Sequence, residues 1–303
     1  MESFPTPPAP KPTKKLSNEI IAAIITGVFG LATVLITTVF PKVLPERSDT
    51  ALPTSTNMIA STTTTPTTAS TFAITTSPTH SSGLATDVIL IGNLQEDQRE
   101  IINAGYAAAL ELANKLPLMI RDEFDTPDYG WPESPPTEYE TNFCEFKIGD
   151  GAYHMRIETK NSSGSCWTTA PRSAKNFLVS TDLSAAARKD LTNDILFRFQ
   201  DWDNYFYLSI DTNSQQFFIG QYLDGKLTNL ADWTEEKTIH KNGVNQVSII
   251  GVGNQITMFI NQDVVAGFTD PAPKSGNIVI RANLYETSSS HDLVIDNFIL
   301  RGE

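Results

Sequence analysis

Basic residues are scarce in this 303-residue chain. Its 22 Lys and Arg residues are outnumbered by 35 Asp and Glu residues, which gives a formal net charge of −13. A protein that binds the phosphates of DNA or RNA needs a concentrated surface of Lys and Arg. The composition therefore argues against nucleic acid as a partner.

Cysteine is also scarce, since the chain contains only Cys144 and Cys166. One pair of cysteines suits a single structural disulfide in an oxidising compartment. Two free buried thiols are the alternative, because a sequence does not show whether two cysteines come within bonding distance. We expect the Cys144–Cys166 disulfide.

Charge is missing altogether from residues 20–40, which also lack Pro and contain nothing more polar than Thr. A helix of this length, at about 1.5 Å per residue, spans the roughly 30 Å hydrocarbon core of a bilayer. Pro41 ends the stretch. We predict an uncleaved single-pass transmembrane helix over 20–40; a signal-peptide core or a buried helix is the alternative.

The flanking charges give the orientation of this span. Lys11, Lys14 and Lys15 precede it, and Lys42 and Arg47 follow it. The positive-inside rule then places residues 1–19 in the cytoplasm, as a short disordered tail, and the rest of the chain outside the cell. The expected location is the cell membrane, with the N-terminus cytoplasmic and the C-terminal domain extracellular.

Small residues recur along the predicted span at spacings of three and four, which places them on one face of the helix. They are Ala22, Thr26, Gly30, Thr33 and Thr37. Such a face lets two membrane helices approach closely, so a homodimer through the span is one hypothesis; the common use of these residues in membrane helices is the alternative.

Residues 41–83 form a Ser/Thr/Pro-rich linker. From Ser48 to Gly83, 20 of 36 residues are Ser or Thr, a composition typical of extended, O-glycosylated stalks. Residues 84–118 then read as a short strand followed by an amphipathic helix that ends before Pro117. This helix could form a short coiled coil, but packing against the following domain fits its Ala-rich turns better.

Residues 119–303 change to a period of two. Within Tyr205–Asp211, for example, Phe206, Leu208 and Ile210 fall on one face of a strand. Many short strands separated by Gly- and Asn-containing turns predict an all-β antiparallel sandwich or barrel. Trp233 is expected in its core, whereas the other three Trp residues fit either core or rim.

Seven stretches of this domain stand in a recognisable order: DEFDTPDYGW (122–131), GAYHMRI (151–157), ILFRFQDWDNYFYLSID (195–211), LADW (230–233), NQVSIIGVGNQITMFINQDVV (245–265), SGNIVIRA (275–282) and LVIDNFIL (293–300). The order resembles that of the concanavalin A-like lectin/glucanase jelly roll, near the group labelled 3-keto-disaccharide hydrolase-like or laminin-G-like. The resemblance covers about residues 120–301. It implies the fold more than an activity, because this fold carries many functions.

Glucanases with this fold carry carboxylates that alternate on one strand, because cleavage needs an acid and a base or nucleophile at a fixed separation. The sequence has no E-x-D-x-x-E run, no H-E-x-x-H and no G-x-S-x-G. Gly220–Lys226 has the spacing of a phosphate loop, but Leu227 follows it and the context predicts a hairpin turn. Glycoside cleavage is therefore an alternative to binding, and no catalytic residues are predicted.

The polar faces of the predicted strands offer a binding surface. If Phe197 and Phe199 face the core, the residues between and beyond them face away. The same reasoning on neighbouring strands gives a predicted ligand-binding set of Arg198, Gln200, Tyr205, Tyr207, Arg281 and Asn283. Aromatic rings beside Arg and amides suit sugars; the alternative is the ordinary cross-strand pairing of an exposed sheet.

Calcium is implied by the resemblance. In similar jelly rolls the first and last strands are neighbours, and carboxylates there hold a structural Ca²⁺ ion through hard oxygen ligands. The residues at the matching positions are Asp122, Glu123, Asp125 and Asp296. The alternative is an acidic strand edge that is simply solvated.

Together these observations predict a membrane-anchored extracellular binding or sensor module of lectin-like fold. Its expected partner is carbohydrate or another extracellular ligand. The alternatives are a glycoside-cleaving enzyme of the same fold and a structural or adhesion protein whose sandwich binds protein.

Overall fold

The computed structural model describes residues 84–91, 107, 109–111 and 113–303. The predicted tail (1–19), transmembrane helix (20–40), and linker (41–83) lie outside the described residues. So does the helix face suggested for a homodimer. Among the described residues, no helix is long and apolar enough to cross a membrane.

The described residues form sixteen β-strands. They are β1 (Thr86–Leu90), β2 (Leu118–Asp122), β3 (Ser134–Glu138), β4 (Asn142–Gly149), β5 (Ala152–Thr159), β6 (Gly164–Ala174), β7 (Phe177–Ala185), β8 (Leu191–Asp201), β9 (Asn204–Asp211), β10 (Gln216–Leu223), β11 (Lys226–Glu235), β12 (Gly243–Val252), β13 (Gln255–Ile260), β14 (Asp263–Thr269), β15 (Gly276–Leu284) and β16 (Ser290–Gly302). The all-β prediction is confirmed.

The strands form two antiparallel sheets. A ten-stranded sheet runs in the order β1-β14-β13-β12-β7-β16-β5-β4-β3, and β2 pairs with β16 outside this path. A six-stranded sheet runs in the order β11-β10-β9-β8-β15-β6. Sequence neighbours β7 and β8 lie in different sheets, as do β14 and β15, so the chain crosses repeatedly between the layers.

The main core lies between the two sheets. In β9, the predicted inward set of Phe206, Leu208 and Ile210 is buried in this core. Trp131 is also buried there, with its ring centroid 4.8 Å from that of Phe298. Because side chains alternate along a strand, the remaining residues of each strand face outward.

A disulfide joins the two sheets at one side of the core. Cys144 of β4, in the ten-stranded sheet, is bonded to Cys166 of β6, in the six-stranded sheet. Both cysteines are buried. The predicted disulfide is confirmed.

The segment before the sandwich is part of the folded unit. Strand β1 extends the ten-stranded sheet by pairing with β14. The short described part of the helix places Ala109 and Ala113, with Leu116 just after it, in a second apolar cluster that includes Leu178 and Ile250 of the sheet. This segment therefore covers part of the outer face of the ten-stranded sheet and leaves the six-stranded sheet as the other broad outer surface.

Candidate ligand-binding face

Aromatic rings cross the outer face of the six-stranded sheet from one edge to the other. We call this set the aromatic strip: Trp167, Trp202, Tyr205, Tyr207, Phe218 and Trp233. Successive ring centroids along it are 4.9, 6.1, 5.9, 5.6 and 5.6 Å apart. These separations lie in the contact range of aromatic pairs. The strip therefore starts on β6 and ends on β11, the two edge strands of this sheet.

The strip combines a buried floor with exposed ends. Tyr205, Tyr207 and Phe218 are at most 9% exposed, whereas Trp167 and Trp233 are each 44% exposed. Open tryptophan rings beside a closely packed floor present flat apolar surface to a ligand. Such surface is what the apolar face of a sugar ring needs for stacking.

Gly220 of β10 allows this floor to form. A Cβ atom built at Gly220 would lie 2.3 Å from the Tyr207 ring. The two residues are directly paired across β9 and β10, so the ring occupies the space above the glycine. A larger residue at this position would displace the ring from the middle of the strip.

Trp233 reaches the strip through a bulge in β11, and its expected place in the core is wrong. Across β10, Ile219 is paired with Ala231, and Phe217 is paired with Thr234. Two steps on β10 therefore correspond to three on β11. The extra residue reverses the alternation, so Trp233 faces outward and its ring packs 5.6 Å from that of Phe218.

A polar cluster lies beside the strip on β6, β8 and β15. Oδ2 of Asp194 accepts hydrogen bonds from Nε and Nη2 of Arg281, at 2.8 and 2.6 Å, and from Nδ2 of Asn283, at 2.8 Å. Asn283 also donates to Oγ1 of Thr192 and accepts from Ser165. Oδ1 of Asp194 is buried and has no partner among the described residues.

This cluster changes the ionisation of its neighbours. Burial opposes the charge of the Arg281 guanidinium, but the charge and hydrogen bonds of Asp194 outweigh it and raise the pKa of Arg281. Burial, aided by the charge of Asp194, raises the pKa of Tyr207, and burial raises that of Tyr205. Both phenols are therefore neutral at physiological pH. The charges of Asp194 and Arg281 offset each other.

Arg198 does not face outward with the predicted set. It sits in a bulge with φ of 49°, between Leu196, paired with Val279, and Phe199, paired with Asn277. Its guanidinium is buried, forms an ion pair with Asp270 and donates to the carbonyl of Gly253.

The same bulge corrects the predicted side of the next residue. Phe199 packs with Leu196, Tyr205 and Tyr207 on the outer face instead of facing the core. Gly276 permits the bulge, because a Cβ there would lie 2.4 Å from the Arg198 carbonyl carbon. Gln200, two residues beyond Arg198, is exposed and donates to the carbonyl of Ser275.

Four of the six predicted ligand-binding residues therefore share one surface: Tyr205, Tyr207, Arg281 and Asn283. Sequence reasoning missed Asp194, the partner of Arg281. It also missed Phe218 and the outward position of Trp233. The alternation of β8 would have placed Asp194 on the same face as Leu196, but its pairing with Arg281, 87 residues later, has no local signal.

The four residues predicted to bind calcium do not form one group. Asp122 is buried and accepts a hydrogen bond from the amide of Phe124. Asp296 accepts a hydrogen bond from the amide of Asn297. Its backbone lies opposite that of Asp182 where β16 pairs with β7. In the part of the chain that the structure describes, no group of three or more His, Cys, Asp or Glu residues could hold a metal ion. Calcium binding stays a prediction.

Among the described residues, the outer face of the six-stranded sheet does not bring together a pair of carboxyl groups suited to glycoside cleavage. Among the described strands of this sheet, Asp194 on β8 is bound to Arg281, and Asp232 lies three strands away on the edge strand β11, roughly 14 Å across the sheet at about 4.8 Å per strand. Glu235 lies at the end of β11. Asp201 and Asp211 lie at strand ends, where they accept hydrogen bonds from turn amides. Cleavage needs two carboxyl groups about 5 to 9.5 Å apart.

No family model matches this chain, and no curated protein matches it. Solved structures do. A carbohydrate-binding module from Bacillus subtilis is 14% identical, with a TM-score of 0.42, over 57% of this chain and 96% of the module. A β-glucanase from Bacillus licheniformis is 11% identical, with a TM-score of 0.45, over 62% and 99% of the two chains.

A β-1,3-1,4-glucanase from a mouse hindgut metagenome is 9% identical, with a TM-score of 0.48, over 60% of this chain and 98% of the enzyme. The expected likeness to carbohydrate-binding and glucanase jelly rolls is thus found. At these identities it concerns the sandwich alone and does not show what this chain binds.

Proposed function

We propose that this protein is a membrane-anchored extracellular module that binds carbohydrate on the outer face of its six-stranded sheet. The aromatic strip is the observation that carries the proposal. Its exposed tryptophans offer stacking surfaces, and its floor is fixed by close ring contacts. Binding to a preformed surface loses little conformational entropy.

The polar cluster beside the strip supplies the other half of sugar recognition. Arg281, Asn283 and Thr192 hold one another in place around Asp194. Sugar hydroxyl groups need donors and acceptors at fixed positions, in addition to a ring on which to stack.

The anchor is supported by the sequence. Residues 20–40 are uncharged and long enough to span a bilayer, and a Ser/Thr-rich linker separates them from the sandwich. The disulfide fits an oxidising compartment. Protease added to intact cells should release a soluble fragment that begins in residues 48–83; a fragment protected until the cells are broken open would contradict the orientation.

Binding can be tested with the full-length protein in detergent micelles, on a glycan array and by sedimentation with insoluble polysaccharides. Trp167→Ala and Trp233→Ala should each weaken binding about tenfold, which corresponds to roughly 1.4 kcal/mol for one lost aromatic contact. Tyr139→Ala is the matched control, because Tyr139 is exposed on the turn between β3 and β4, away from the strip.

Two results would contradict the proposal. One is wild-type protein that binds no glycan. The other is glycan binding that the strip variants and the control variant reduce equally. Binding of an extracellular protein by the same face, with no glycan bound, would instead favour the adhesion alternative.

A further inference from the structure

A pocket lies at one end of the strands that carry the aromatic strip. It is shallow and open to solvent, with a cavity volume of about 60 Å³, and its lining includes Arg198, Tyr205, Tyr222, Asp270 and Lys274. Tyr205 belongs to both the strip and the pocket, so the two surfaces are continuous.

The pocket reaches beyond the outer face of the sheet. Tyr205 and Tyr222 face outward, with their rings stacked 4.9 Å apart. Phe206 is a core residue of β9, yet it also lines the pocket, as does buried Gln221 of β10. Walls from both sides of the sheet place the pocket at the strand ends, where the connection from β14 to β15 passes.

Arg198 is fixed in this wall. Its Nη1 atom forms an ion pair with Asp270, and its Nη2 atom donates to the carbonyl of Gly253 at 2.7 Å. Asp270 also accepts from the amide of Ala272 at 3.0 Å, which orders the connection over the pocket. The Nε atom of Arg198 is buried without a partner among the described residues. Because its side chain is only 2% exposed, Arg198 holds this wall in place and does not itself donate to a ligand.

Resting on the proposed function, we propose that this pocket holds the terminal unit of a glycan chain whose following units lie along the aromatic strip. Tyr222, which is packed on Tyr205, offers its outer ring face to one sugar ring, and the ammonium of Lys274 offers donors to the hydroxyl oxygens of that sugar. The connection between β14 and β15 borders the pocket, so an end fits there and a continuing chain does not.

Chain-end binding makes a quantitative prediction. Water-soluble mixed-linkage β-glucan, xylan and mannan are each added as competitors while the full-length protein binds to the glycan array. Each polysaccharide is used at equal mass, both intact and after partial acid hydrolysis. Hydrolysis raises the number of ends without changing the mass. The inhibitory potency per unit mass should therefore rise in proportion to the number of ends, whereas binding to chain interiors would leave it unchanged or lower it.

A blocking variant tests the location. Ala272 is exposed and lines the pocket, so Ala272→Trp should fill the space through a side chain that replaces no buried group. It should remove the gain in potency on hydrolysis. Lys237→Trp adds the same bulk at an exposed position away from the pocket and should bind like the wild type.

The outcomes separate the pocket from the proposed function. Glycan binding with no gain on hydrolysis, or an Ala272→Trp protein that keeps the full gain, would overturn the pocket and leave the strip. Failure of every glycan to bind would overturn both. Because the hydrolysis series uses the wild-type protein, its result stands even if Ala272→Trp does not fold.

Discussion

The ion pair between Asp194 and Arg281 should be a major contributor to the stability of the candidate site. The perturbation is Asp194→Ala. It removes the acceptor of three hydrogen bonds, two from Arg281 and one from Asn283. Asp194 is 1% exposed, and the side chain of Arg281 is 17% exposed. The variant therefore leaves a largely buried guanidinium without its counter-charge.

Removal of one partner from a buried pair costs about 3–5 kcal/mol. Arg281 keeps some contact with solvent, and Asn283 keeps its bonds to Thr192 and Ser165. We therefore expect a loss near the lower limit, about 3 kcal/mol. For a domain of this size, that loss lowers the melting temperature by roughly 6–12 °C.

The assay is urea unfolding of a fragment of residues 84–303, which contains every described strand, followed by tryptophan fluorescence. The control is the double variant Asp194→Leu/Arg281→Leu, which replaces the pair with apolar side chains. It should be more stable than Asp194→Ala, because it buries no unpaired charge. A loss below about 1 kcal/mol for Asp194→Ala, or a double variant less stable than the single one, would refute this reasoning.

Three further predictions concern stability. Cys144→Ser should cost about 3 kcal/mol of unfolding free energy from chain entropy, since the disulfide closes a loop of 22 residues; an unfolding midpoint in urea that matches that of the wild type would contradict it. Burial, with the charge of Arg188, lowers the pKa of His291 below 6.5, so the stability it contributes is present above pH 6.5 and is lost as the pH falls through the lowered pKa. Unfolding in urea between pH 7.5 and 5 should show this loss, and His291→Gln should reduce it; equal pH dependence in both proteins would be the contrary result. If calcium ties the last strand to the first, millimolar Ca²⁺ should raise the melting temperature and Asp296→Ala should erase the rise, whereas melting that ignores both calcium and chelator leaves a solvated acidic edge.

Much of the sandwich could be predicted because its signals are local. Inward positions in β9 follow strict alternation, so Phe206, Leu208 and Ile210 are in the core as expected. Turn residues marked many of the strand ends. The disulfide could be predicted because Cys144 and Cys166 are the only two cysteines in the chain and both fall in the domain predicted to lie outside the cell.

Two bulges explain why three residues were predicted on the wrong face of their strands. At each bulge one extra residue reverses the alternation, so Phe199 and Trp233 face outward and Arg198 turns into the interior. A bulge depends on pairing with a neighbouring strand and on space such as that provided by Gly276. A single sequence shows neither, which explains why the strip was only partly predicted.

The pairing of β1 with β14 determines how the sandwich would carry mechanical load. Any pull transmitted along the chain from residues before 84 enters the described fold at Leu84 and reaches β1 first. Backbone bonds to β14 hold that strand along its length, and the amide of Ala85 is tied to the side chain of Gln221 in the opposite sheet. A pull along the strand therefore loads these bonds together instead of one after another. We therefore expect β1 to stay paired with β14 when drag on a ligand bound to the six-stranded sheet pulls on the chain.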